Sequence, residues 1–167
     1  EAAQLPGWWA GVGQLTNKAA SVYLRVLLLT GARREELAAL TWANVDFQWR
    51  KLTIADKVEK TRTIPLTDHV AKLLATLPRA TLPDDSLNPC VFASTSKSGR
   101  LTDTRASHAK ALESAGIDGL TIHGLRRSFS LLGEAAGAPA GAIAQVMGHK
   151  PSATAEGYRP RSVDALR

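Results

Sequence analysis

The chain has one cysteine, Cys90, in 167 residues. That excludes an internal disulfide and a zinc site built from several cysteines, and a lone thiol of this kind reads as small apolar filler. Nowhere does the sequence hold the roughly 18 consecutive apolar residues that a membrane-spanning helix needs, so no membrane span is expected. It also lacks internal repeats and low-complexity tracts. Acidic residues are in short supply, 15 against 21 lysines and arginines, which leaves a net charge of +6 and a sequence pI of about 9.8. A deficit of acids points to an acidic partner, nucleic acid first and an anionic membrane surface second, with plain solubility as the simpler alternative.

What is present suits one globular domain. Hydrophobic residues make up 44% and charged residues 22% of the chain, and a chain of this length can bury one sound core. Residues 1–16 hold Trp8, Trp9 and three glycines without a clear period, and read as a linker or docking arm. Asn17 is placed to cap a helix that carries V-L-L-L to Thr30 and stops at Gly31. A short helix is expected near Ala32. Residues 49–66 alternate apolar and polar around a charged middle, the pattern of a β-hairpin. Thr67 is placed to cap a helix with Val70, Leu73, Leu74 and Leu77 on one side. Residues 78–90, rich in proline, read as a loop, Val91 and Phe92 as a short strand, and 94–100 as a basic loop. Helices are expected from Thr102 to Gly116, over 122–136, from Pro139 to Met147, and in a last short stretch leading to Tyr158. The expected class is mostly α with a small antiparallel β-sheet (α+β).

The residues with chemistry cluster towards the end of the chain. His123 and Arg126 stand at i and i+3 and so share a helix face, near a helix start whose unpaired N–H groups favour an anion. A guanidinium fork matches two phosphate oxygens, and an imidazole can move a proton near neutral pH. The plain alternative is a surface arginine and a core histidine. Arg33, in T-G-A-R-R-E-E-L, opens a helix at the end that repels a cation, a position that a nearby phosphate would favour; otherwise Arg33 and Glu36 are an i,i+3 pair on a solvated face. Lys57 and Lys60 ride the hairpin tip, either reaching a leaving oxygen or simply blocking edge pairing. Tyr158 carries a phenol that is a poor nucleophile unless cations stabilise its phenolate.

Taken in order, T-G-A-R-R-E-E-L, D-K-V-E-K-T-R-T-I-P-L, H-G-L-R-R-S-F, M-G-H-K-P-S and the tyrosine that follows resemble the catalytic domain of the tyrosine recombinase, or phage integrase, family. The likeness covers roughly residues 17–160. It implies that Arg33 and Arg126 are the paired phosphate-binding arginines, Lys57 the hairpin lysine, His123 and His149 the imidazoles and Tyr158 the nucleophile. Arg34 and Arg127 are adjacent decoys, and Lys60 competes with Lys57. It further implies transesterification of double-stranded DNA through a 3′-phosphotyrosyl intermediate, with no metal, ATP or other cofactor. His123 would accept the tyrosine proton, Lys57 protonate the leaving 5′-oxygen and His149 donate to a phosphate oxygen.

Residues 17–167 would form the catalytic domain, a fragment lacking the DNA-clamping domain that usually precedes it. Such a fragment is expected to be monomeric, with tetramers only on DNA and in the full-length protein. The expected setting is the cytoplasm of a bacterium, encoded there or by a phage. Further DNA contacts are expected from Lys60, Arg62, Lys97, Arg100, Arg105 and Arg127, with His108 and Lys110 on the same helix as Arg105. Competing readings are a type IB topoisomerase-like nicking and closing enzyme, and a DNA-binding module that has lost cleavage.

Overall fold

The computed structural model describes residues 2–56, 60–149 and 163–166. Seven α-helices, three single-turn 3-10 helices (Ala2–Gln4, Trp42–Asn44 and Asp164–Leu166) and one small sheet make up the regular structure among these residues: α1 (Leu5–Gly13), α2 (Lys18–Thr30), α3 (Arg34–Ala38), β1 (Val45–Asp46), β2 (Lys51–Asp56), β3 (Lys60–Pro65), α4 (Asp68–Ala75), α5 (Arg105–Ala115), α6 (Ile122–Ala135) and α7 (Ala140–Met147). The sheet is antiparallel in the order β1-β2-β3, with Leu52 opposite Ile64 and Ile54 opposite Arg62. The mostly helical α+β class therefore holds.

Local chemistry sets most boundaries. The Asn17 side chain accepts from the Ala20 N–H at 3.0 Å, which satisfies one of the orphan donors at the start of α2. Gly31 ends that helix in the left-handed conformation at φ 59°, where a Cβ would be strained. Thr67 and Thr121 cap α4 and α6 through their hydroxyls. α2 is the central helix: Val22, Tyr23, Leu24, Val26 and Leu27 are buried together with Leu37, Leu52, Ile54, Ile64, Val70, Leu74, Phe92 and Leu125 in one core.

Three expectations change. The stretch 1–16, expected as a linker or docking arm, is built into the domain: Leu5–Gly13 is helical, and Trp8 is fully buried in the core. Its indole N–H donates to His108 Nε2 on α5 at 3.2 Å. Three glycines hid this helix from a reading by propensity, yet Gly11 is what lets α1 approach α5. A Cβ there would stand 2.5 Å from the Ala111 carbonyl oxygen. Secondly, α5 begins at Arg105, after Thr104 rather than Thr102, with Asp103 accepting the Arg105 N–H at 2.9 Å. Thirdly, Val91 and Phe92 form no strand. Their neighbours make single bridges, Thr41 with Cys90 and Ala93 with Arg100. The pair makes single backbone bonds, the Val91 N–H donating to the Leu40 carbonyl and the Phe92 carbonyl accepting from the Leu101 N–H, and both side chains belong to the core. The expected last helix before Tyr158 lies outside the described residues.

Candidate active site

Four elements meet at one point: the α2–α3 turn, β3, the start of α6 and the end of α7. The turn at Gly31 aims its carbonyl at α6, where Arg126 Nη1 donates to it. Phe129, one turn further along α6, packs over the bare Cα of Gly31, so that a Cβ would meet its ring at 2.4 Å. Arg126 is itself buried, with 7% of its surface exposed, and its Nη2 donates to the Met147 carbonyl at 2.7 Å. Arg33, the residue just before α3, is part-buried. Its Nη1 holds Glu36 Oε1 at 2.6 Å, and its Nη2 donates to the Gly148 carbonyl at 3.2 Å. The two arginines thus come from positions far apart in the chain and bond to consecutive carbonyls.

Those carbonyls are available because α7 ends there. Gly148 takes the left-handed conformation at φ 68°, and the His149 N–H turns back to the Ala144 carbonyl at 2.9 Å, as in a Schellman close. The last carbonyls of a helix lack intrahelical donors and carry the negative end of its dipole, so cations gather on them.

His149 follows directly and is exposed. Desolvation by the surrounding protein holds its imidazole below the ordinary histidine range, followed by the charges of Arg126, Arg33 and Arg62. Its titration is therefore coupled to both of the expected phosphate-binding arginines. A phosphate entering here would meet positive charge on several sides, and its own charge would offset the part of the downward shift at His149 that the arginines cause.

Glu36 and Arg62 belong to the same cluster, and a reading of single motifs missed both roles. Glu36 is buried, not part of a solvated face. Its Oε2 accepts from the Arg33 N–H at 2.9 Å and from Arg62 Nη2 at 2.8 Å. Burial pushes its carboxyl up, but hydrogen bonds from the side chains of Arg62 and Arg33 and from the Arg33 N–H outweigh this and hold it low. Arg62, expected on the DNA surface, is 9% exposed, and its Nε donates to the Val146 carbonyl at 3.1 Å. The sequence signal was present: Arg62 lies opposite the apolar Ile54 on a strand whose alternate residues, Ile64 among them, face the core.

The remaining expected residues divide by position. His123 is exposed on the first turn of α6, on the face it shares with Arg126. Lys60 lies in β3 opposite Asp56. Lys97 and Arg127 are exposed, and Arg100 is half-buried beside the serines of its loop. Arg105 is exposed and forked onto Asp103 at 2.7 Å, a contact that draws the Asp103 carboxyl down to about 2. Lys110 is exposed, whereas His108 is buried against Trp8 and so turned away from any DNA face. Lys57 and Tyr158 lie outside the described residues.

A three-stranded sheet beside a helical core, with two arginines and a histidine drawn together at the end of one helix, is the architecture of a tyrosine recombinase catalytic domain. Residues 12–163 match the phage integrase family, and the chain belongs to that family. It is 50% identical over 165 residues to prophage integrase IntF of Escherichia coli strain K12, a match that covers 98% of this chain and 35% of that protein. The integrase of Shigella phage Sf6 is 30% identical over 159 residues, covering 92% of this chain and 40% of that protein. The chain thus spans 35% to 40% of the length of these curated relatives.

Among solved structures, XerA recombinase superposes with a TM-score of 0.74 at 23% identity, over 99% of this chain and 61% of that one. A lambda integrase dimer bound to a COC′ core site gives 0.70 at 16% identity, over 96% of this chain and 60% of that one. At these identities the likeness concerns the fold. Among the described residues, no helix is long and apolar enough to cross a membrane.

Proposed function

We propose that this chain is the catalytic part of a site-specific DNA recombinase that cuts and rejoins strands through Tyr158. The observation that carries the reading is the convergence of Arg33 and Arg126 on the Met147 and Gly148 carbonyls beside His149. Guanidinium groups so placed can take the non-bridging oxygens of one phosphate, whose charge concentrates as a fifth oxygen approaches phosphorus. Tyr158 attacks that phosphorus, its proton passes to His123, and the bond to the 5′-oxygen breaks. Lys57 protonates the leaving 5′-oxygen, and His149 donates to a phosphate oxygen. The phosphotyrosine retains the energy of the bond that was broken, so a second 5′-hydroxyl can displace the tyrosine and complete the exchange.

Several features of the relatives support the wider setting. The lambda and XerH structures were solved on DNA, one of them as a tetramer on a Holliday junction. By that analogy the DNA is double-stranded, the working assembly is a tetramer formed on it, and the cellular site is the cytoplasm of a bacterial host. Residues 17–167 act as the catalytic unit, with α1 built onto it. The exposed Lys97, Arg105 and Arg127, together with Arg100 and Lys60, supply contacts to the DNA backbone.

The test is covalent capture on nicked duplexes tiled across the DNA that flanks the gene. Wild type is expected to form an adduct resistant to denaturant, Tyr158→Phe none, and Arg33→Ala or Arg126→Ala one that forms about 100- to 1,000-fold more slowly. An adduct that persists in Tyr158→Phe, or none with wild type on any of these duplexes, would overturn the reading.

A further inference from the structure

Three consecutive carbonyls close α7, and each takes an N–H from a different arginine. Arg62 Nε reaches Val146 at 3.1 Å, Arg126 Nη2 reaches Met147 at 2.7 Å, and Arg33 Nη2 reaches Gly148 at 3.2 Å. The three arginines come from β3, from α6 and from the start of α3. Arg62 differs from Arg33 in its surroundings. Its side chain is 7% exposed against 38% for Arg33, and its Nη2 meets a carboxylate, Glu36, that is equally buried at 2.8 Å. The other oxygen of Glu36 holds Arg33. Arg62 therefore touches both supports of Arg33 at once: the carboxylate that grips its guanidinium, and the helix end on which that guanidinium rests.

A planar fork is suited to this double duty, because Nε and Nη donate in fixed directions. A buried carboxylate between two guanidiniums also limits the repulsion among three cations. We infer that Arg62 is a positioning residue for Arg33: it fixes the distance between that phosphate-binding guanidinium and the end of α7. It does not contact DNA. This inference rests on the recombinase reading above.

The experiment uses a nicked duplex on which wild type forms its adduct, and compares wild type, Arg62→Gln, Arg62→Lys, Arg33→Ala and Arg33→Ala with Arg62→Gln. Thermal unfolding first establishes which variants fold, and Arg62→Lys, which keeps the charge beside Glu36, serves if the glutamine variant does not. At saturating DNA the rate of adduct formation is expected to fall about 100-fold in Arg62→Gln, the scale of loss from a misplacement near 1 Å. Arg62→Lys is expected to recover part of that rate. DNA affinity and its dependence on salt are expected to stay as in wild type, whereas loss of a direct phosphate contact would lower the salt slope by about 1.

In the Arg33→Ala background, Arg62→Gln is expected to add little, because the group it positions is gone. A wild-type rate in Arg62→Gln, fully additive losses, or a reduced salt slope at unchanged rate would each overturn the inference while leaving the recombinase reading intact. No adduct with wild type would overturn both.

Discussion

At the scale of single residues, the two buried polar pairs have opposite tasks. Glu36 and Arg62 exchange charge in the interior and hold a site together. His108 and Trp8 exchange one neutral hydrogen bond and hold two helices together. The second pair has a consequence for pH. His108 Nε2 accepts from the indole, so the ring is neutral, and burial holds its pKa below the ordinary value. Between the lowered folded value and the ordinary one near 6.5, the unfolded chain carries a proton that the native state does not. Stability is therefore intact above about pH 6.5 and declines as pH falls through that window. His149 shifts in the same direction and adds to the decline. His108→Gln is expected to flatten, without abolishing, the fall in Tm between about pH 7 and pH 5. An unchanged slope in that variant would show that His108 is not part of the acid response.

At the scale of elements, α1 shows how a close approach outweighs propensity. Glycine is a poor helix former, costing about 1 kcal/mol relative to alanine, and α1 carries three in nine residues. Only one of them stands where α5 leaves no room. At Gly11 a Cβ would lie 2.5 Å from the Ala111 oxygen and 2.8 Å from Ser114 Oγ, whereas at Gly7 it would meet Ala115 Cβ at an ordinary 3.8 Å. Gly11→Ala is expected to destabilise by about 1–3 kcal/mol, the range for overpacking, and Gly7→Ala to be neutral or slightly stabilising. At about 2–4 °C per kcal/mol for a chain of this size, thermal unfolding separates the two. Equal Tm values would mean that α1 does not pack on α5 as described. The hairpin, by contrast, follows its alternating pattern closely, because Leu52, Ile54, Ile64 and Arg62 all lie on the face turned to the protein interior.

At the scale of the whole molecule, the balance of +6 and the exposed cations Lys97, Arg105 and Arg127 describe a surface that attracts a polyanion. Binding to duplex DNA is expected to weaken steeply with salt, by about 0.9 log units of affinity per log unit of salt for each phosphate neutralised. Without DNA, the chain is expected to elute as a monomer. Gel filtration showing a stable tetramer without DNA would contradict that expectation, and a salt-independent affinity would contradict a binding mode based on phosphate contacts.

Much of this was legible in the chain itself. The caps at Asn17, Thr67 and Thr121, the stops at Gly31 and Gly148, and the hairpin alternation are local, so the bonds that enforce them lie within a few residues. The ordered motifs likewise carried the family, and three residues they singled out, Arg33, Arg126 and His149, come together in the structure. What the chain could not display was which polar groups turn inward. Glu36, Arg62 and His108 look like surface residues by type, and α1 looks like a linker by composition. Their partners stand far away in sequence, at Val146 for Arg62 and at Trp8 for His108. Only the tertiary structure brings those partners within bonding distance, because the burial of a charge or an indole N–H depends on whether a matching group arrives from elsewhere to replace water.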